Sequence, residues 1–117
     1  MLIGYARVST FDQNTDLQKD ALGKAGCEKI FTDTVSGTVP LRPGLTKAKE
    51  QLRKGDTLVV WRLDRLGRSL KDLIDWMNYL DTEGVALKSL QESIDTSTAK
   101  VNWFFMFLVR WRSLNAI

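Results

Sequence analysis

The chain has 117 residues, 44% of them hydrophobic and 26% charged, with a formal net charge of +3, which suits one compact domain of mixed helices and strands. It contains no histidine and one cysteine, Cys27, so histidine-based triads, zinc enzymes and disulfide scaffolds are excluded by counting. The longest apolar run, residues 103–109, falls far short of the roughly 20 residues needed to cross a bilayer, and with a charge as early as Arg7 the expectation is a soluble protein of a reducing compartment.

Leu2–Val8 is rich in apolar residues and alternates, which predicts a buried strand. Thr10-Phe11-Asp12-Gln13 fits a capping box. The helix that follows should carry Leu17, Ala21, Leu22 and Ala25 on its inner face and stop at Gly26. Glu28–Thr32, with Ile30 and Phe31, reads as a short strand. Asp33–Pro43 has no periodic apolar pattern and reads as a mobile loop. Pro43 is suited to open the next helix, with Leu45, Ala48 and Leu52 inward and Gly55 at its end. Asp56–Arg62 has the continuous apolar centre of a parallel strand covered on both faces. From Leu66 the residues Leu66, Leu70, Leu73, Ile74, Met77 and Leu80 repeat at helical spacing to about Glu83, with Gly84 as the stop. Val85–Leu90 reads as a fourth strand, 91–99 as a polar loop, and 100–117 as an apolar helix. This alternation predicts an α/β fold: a mostly parallel sheet of four or five strands with helices on both faces.

Charge is unevenly spread along this plan. Residues 1–39 are net −1, residues 40–71 net +6, residues 72–99 net −5 and residues 100–117 net +3. A basic block next to an acidic one suggests one face suited to phosphate, though solvated helix faces produce the same pattern. The carboxyl ends of parallel strands are the usual site builders. Arg7-Val8-Ser9-Thr10 follows the first strand, and Arg62-Leu63-Asp64-Arg65-Leu66-Gly67-Arg68-Ser69 follows the third. Arg7 and Ser9 share a face by alternation, and Arg65 and Arg68 share one on a helical turn. A serine hydroxyl ringed by guanidiniums suits attack on a phosphodiester. Fixed cations lower the cost of the alkoxide and hold the charge that builds on five-coordinate phosphorus. Arginine grips two oxygens at once and stays charged at any working pH, so the chemistry calls for neither metal nor histidine. Each residue also has a plainer reading. Ser9 can cap a helix, Asp64 can form a local ion pair with Arg62 or Arg65, and Gln18, Ser36 and Arg42 can be solvated. A nucleotide-binding reading is disfavoured because no glycine-rich phosphate fingerprint is present.

Tyr5-Ala6-Arg7-Val8-Ser9-Thr10, then Asp12-Gln13 and Gln18, resembles the opening of the serine recombinases of the resolvase and DNA-invertase group. Ser36-Gly37-Thr38 and Arg42-Pro43-Gly44-Leu45 resemble that family's loop segment. Gly55–Ser69 resembles its most distinctive block, and Ser93-Ile94-Asp95-Thr96 the lead-in to its long dimer helix. The resemblance runs from Met1 to about Thr98. It implies that Ser9 is the nucleophile, kept as a 5′-phosphoserine ester while a 3′ hydroxyl is released. It implies that Arg7, Arg65 and Arg68 surround the scissile phosphate and that Arg42 closes over it. Gln18 and Asp64 would orient those arginines, Asp64 also helping proton transfer to the leaving oxygen, with Gln13 and Ser36 in support. Arg42, Arg65, Arg68 and Lys71 would contact DNA. No cofactor and no metal are implied, because the ester keeps the bond energy. The partners implied are DNA and further copies of the chain, as a homodimer that assembles into a synaptic tetramer. No membrane is involved, and the expected setting is the cytoplasm of a bacterium, whether the gene is bacterial or phage-borne.

The end of the chain departs from the family pattern. Ala99–Met106 and Arg110–Ile117 lack the Met-Gly pair and the acidic segment of the long helix. The expectation is a catalytic domain over 1–99, a truncated start of the dimerisation helix over 100–117, and no helix-turn-helix reader domain. The alternative function is a non-catalytic remnant that dimerises with or inhibits intact recombinases.

Overall fold

The computed structural model describes residues 1–9, 15–35, 43–67 and 69–96, with Ser9, Thr15 and Val35 described through their backbone alone. The predicted cap at Thr10–Gln13 and the predicted helix over 100–117 lie outside the described residues. The elements in chain order are strand β1 (Leu2–Ser9), helix α1 (Thr15–Lys24), strand β2 (Lys29–Val35), helix α2 (Pro43–Gln51), strand β3 (Thr57–Val60), a 3-10 turn (Leu63–Arg65), helix α3 (Leu70–Glu83), strand β4 (Ala86–Ser89) and strand β5 (Ile94–Asp95). The strands form one sheet in the order β2-β1-β3-β4-β5. β1 to β4 pair in parallel and β5 pairs antiparallel with β4, so the fold is the expected mostly parallel α/β sheet.

Alternation along β1 divides the core in two. Ile3 and Tyr5 pack with Leu45, Ala48 and Leu52 from the α2 segment and with Leu73, Met77 and Leu80 of α3. Ala6 faces the other way and packs with Leu22 of α1 and Val59 of β3. The sheet is therefore covered on both faces, which explains the continuous apolar centre of β3.

Several boundaries differ from the sequence reading, each for a local reason. Leu17 is 53% exposed while Gln18 is fully buried. The inner stripe of α1 runs through Gln18 and Leu22, four apart, and Leu17 falls beside it. α3 begins at Leu70 rather than Leu66, because the Ser69 hydroxyl accepts the Asp72 N–H at 3.1 Å and caps the helix there. Leu66 is buried just outside the helix. Gly84 stops α3 as expected, with a left-handed φ of 71°. α2 ends at Gln51, ahead of Gly55. Gly55 instead lies in the turn before β3, with φ 93° and its N–H donated to the Gly84 carbonyl. Asp33 to Val35 belong to β2 rather than to a loop. The polar stretch after β4 contains β5, because the Thr96 N–H donates to the Leu87 carbonyl and the Thr96 hydroxyl accepts the Leu87 N–H in return.

Asp56, just ahead of β3, gives the fold an acid-sensitive point. Its carboxylate accepts the Arg53 backbone N–H at 2.9 Å and the Met1 amino group at 3.2 Å. The Arg53 N–H, with help from that amine, holds its pKa below the ordinary 3.8 against the opposing effect of burial. A depressed folded-state pKa means the stabilisation is complete above the unfolded value and is lost as pH falls through the folded one. Asp56→Asn should therefore flatten the fall in stability below about pH 4, measured by urea melts across pH 2–6.

Candidate active site at the carboxyl edge of the sheet

β1 and β3 are adjacent and parallel, with Tyr5 level with Val60. Their carboxyl ends thus reach the same edge. Arg7 lies one step beyond Tyr5 on the same face of β1, and Ser9 one step beyond Arg7, its backbone paired with Val35 of β2. Past β3 the chain turns through Leu63–Arg65 as a short 3-10 turn, with Leu63 fully buried beneath it. The Arg7 guanidinium crosses to this turn and donates to the Asp64 backbone carbonyl. That bond ties the strand bearing Ser9 to the turn bearing Arg65. The Asp64 carboxylate is used differently: it accepts from Arg62 Nε at 2.8 Å, with both side chains about one-third exposed. Of the two partners foreseen for Asp64 as an ion pair, the structure selects Arg62. Arg62 also stacks over the Trp61 ring at 5.4 Å. Arg65 is half-buried. It closes a 3-10 turn and not a turn of α-helix, because the helix waits for the Ser69 cap. Gly67 follows, and a Cβ there would lie 2.8–2.9 Å from the Cβ, Cα and backbone N of Leu73. Glycine lets this turn lie flat on the start of α3.

Gln18 is fully buried in the opening turn of α1, the helix on the face opposite Tyr5. Lys71 is exposed in the first turn of α3. Arg42, Arg68, Gln13 and Ser36 lie outside the described residues. Cys27 takes no part: it sits half-buried beside Gly4, and burial pushes its thiol pKa up against the pull of Lys88. Among the described residues no cluster of three or more acidic, cysteine or histidine side chains could hold a metal ion, and no helix is long and apolar enough to cross a membrane.

Two groups around the site escape a reading by sequence. Asp33, at the end of β2 and 5% exposed, accepts the Tyr5 hydroxyl at 2.7 Å and the N–H groups of Gly44 and Leu45 at 2.6 and 3.0 Å. It thereby fixes the first turn of α2 to the sheet, directly after Arg42 and Pro43 in sequence. The one usable signal was Tyr5, a tyrosine on an inward strand face whose hydroxyl needs a buried partner. Glu92, 8% exposed, accepts from the Ser89 hydroxyl and from the Leu63 N–H. No spacing rule links Glu92 to Leu63, 29 residues earlier in sequence.

Comparisons with known proteins bear on the family and the fold. Residues 2–111 match the family model described as Resolvase, N terminal domain. The chain is 60% identical over 105 residues to the serine recombinase gin of Escherichia phage Mu, covering 90% of this chain and 54% of that protein. It is 54% identical over 103 residues to the DNA-invertase hin of Salmonella typhimurium, covering 88% of this chain and 54% of that one. The chain thus spans about half the length of the curated relatives it matches. Among solved structures, a resolvase family site-specific recombinase from Streptococcus pneumoniae superimposes with a TM-score of 0.72 at 20% identity, covering 97% of this chain and 87% of that one; at that identity the likeness speaks for the fold alone.

Proposed function

Because the chain belongs to the serine recombinase family, as a resolvase-type N-terminal catalytic domain, we propose that it cleaves and rejoins DNA strands through Ser9. The Ser9 oxygen attacks phosphorus. An Oγ–P bond forms and the P–O3′ bond breaks. The serine proton passes to solvent or a neighbouring base, and the departing 3′ oxygen takes one up. Rejoining is the same exchange in reverse, with a 3′ hydroxyl as nucleophile, so no external energy source enters. Arg7, Arg65, Arg68 and Arg42 supply positive charge where the pentavalent phosphorus gains negative charge. Gln18, Gln13, Ser36 and Asp64 support them, and Lys71 adds attraction for the DNA backbone. The observation that carries this reading is the bond from Arg7 to the Asp64 carbonyl. It draws the strand end bearing Ser9 and the turn bearing Arg65 to one sheet edge.

In this reading the partners are DNA and further copies of the chain, paired as dimers and assembled as a tetramer across two duplexes. The setting is the bacterial cytoplasm. Residues 1–99 form the catalytic unit and residues 100–117 begin the dimerisation helix. The test is incubation with a nicked suicide duplex, in EDTA and without nucleotide. A detergent-resistant protein–DNA adduct with a free 3′ hydroxyl is expected from the natural chain and none from Ser9→Ala. An adduct that persists in Ser9→Ala, or that needs a divalent metal, would contradict the proposal.

A further inference from the structure

The connection between β4 and β5 lies against the 3-10 turn that carries Asp64 and Arg65. Leu90 and Gln91 donate their N–H groups to the carbonyls of Val60 and Trp61 at 3.1 and 3.0 Å, so the connection runs alongside the chain leaving β3. Next comes Glu92, whose carboxylate is almost wholly out of water. One of its oxygens accepts from the Ser89 hydroxyl and the other accepts the Leu63 N–H at 3.4 Å. Leu63 opens the 3-10 turn, Asp64 offers its carbonyl to Arg7, and Arg65 closes the turn. Ser93, directly after Glu92, has a left-handed φ of 55° and returns its N–H to the Leu90 carbonyl. The chain thus accepts a backbone conformation that is costly for a side-chain-bearing residue in a tight bend around Glu92.

A carboxylate is a costly choice for such a place, since burial strips its hydration and an apolar side chain of similar size would avoid that penalty. What it supplies is direction. Two acceptor oxygens, one held by Ser89, fix where the amide at the head of the turn must lie. We infer that Glu92 is a positioning residue for strand cleavage: through the Leu63 amide it holds the Leu63–Arg65 turn in place, and through that turn it sets Arg7 and Arg65. The inference rests on the proposed Ser9 chemistry.

The test compares Glu92→Ala and Glu92→Gln in the full chain. Adduct formation is followed on the nicked duplex over a range of DNA concentrations, alongside amide hydrogen exchange. In Glu92→Ala the rate at saturating DNA should fall by about 10- to 100-fold, while the half-saturating DNA concentration moves by less than about twofold, as expected when transition-state alignment is lost and uniform binding is kept. Exchange should quicken at residues 61–66 and stay unchanged across β1. Glutamine keeps an acceptor for the Leu63 N–H and should restore most of the rate and the protection. A Glu92→Ala protein that reacts at the natural rate overturns the inference. So does a Glu92→Gln protein as slow as the alanine variant. Should Glu92→Ala fail to fold, Ser89→Ala takes its place: it frees one carboxylate oxygen only, should lower the saturating rate by a smaller factor, and an unchanged rate there overturns the inference equally. If the natural chain forms no adduct, the Ser9 reading falls and the positioning role with it, while exchange at 61–66 still shows whether Glu92 holds the turn.

Discussion

Gly44→Ala is expected to destabilise the domain by about 3 kcal/mol. A Cβ at this position would lie 2.3 Å from the Thr32 carbonyl oxygen, 2.8 Å from its carbon and 2.9 Å from an Asp33 carboxylate oxygen. Two of these atoms are backbone of β2, held in the ladder with β1, and cannot swing aside. The start of α2 would have to move off the sheet instead. That movement stretches the bonds from the Gly44 and Leu45 amides to Asp33, at 2.6 and 3.0 Å, and leaves a buried carboxylate short of donors. The melting temperature should fall by roughly 10–20 °C. Denaturant titration of Gly44→Ala beside Gly23→Ala provides the check, because a Cβ at Gly23 meets nothing within 4 Å and that substitution should be neutral or stabilising. Equal stability of the two variants would show that Asp33 does not latch α2 to the sheet. The latch also bears on function: Arg42 immediately precedes Pro43, the first residue of α2, in sequence, so a loosened first turn should slow adduct formation as well.

Removing either Arg65 or Arg68 should lower the rate of adduct formation by about 10²–10³. The reason lies in where charge develops. The attacking serine and the departing oxygen both leave negative charge on the phosphoryl group, and a fixed guanidinium matches it in the transition state more than in the ground state. Lysine should recover only part of the rate, since it keeps the charge but loses the two-pronged grip. The decisive comparison is single-turnover cleavage at saturating DNA for Arg65→Ala, Arg65→Lys, Arg68→Ala and Arg68→Lys, with circular-dichroism melts on the same samples. Folded alanine variants that cleave at the natural rate would remove these arginines from the chemistry.

How much of this was legible beforehand depends on whether the cause is local. Strands β1 and β3 and the stop at Gly84 follow from alternation, apolar runs and a left-handed glycine, all properties of neighbouring residues. That Arg7 and the turn after β3 meet was legible because parallel strands bring their carboxyl ends to one edge. The start of α3 was misplaced because Leu66 fits the helical period while Ser69 supplies the cap, and a hydrogen bond outweighs one apolar match. Leu17 misleads because the apolar positions Leu17 and Ala21 lie one residue off the stripe that faces the sheet, which runs through the polar Gln18 and Leu22. Asp33 and Glu92 were illegible for a different reason. Their partners, Tyr5, Gly44 and Leu63, are set by tertiary packing at separations no local pattern records.

The claim on which the rest depends is that the hydroxyl of Ser9 becomes covalently joined to DNA. Trypsin cuts after Arg7 and Lys19, so residues 8–19 form one peptide carrying Ser9, Thr10 and Thr15. Tandem mass spectrometry of the digested, nuclease-trimmed adduct should find the nucleotide 5′-phosphate on Ser9 of that peptide. A phosphate on Thr10, on Thr15 or on any other peptide would contradict the account.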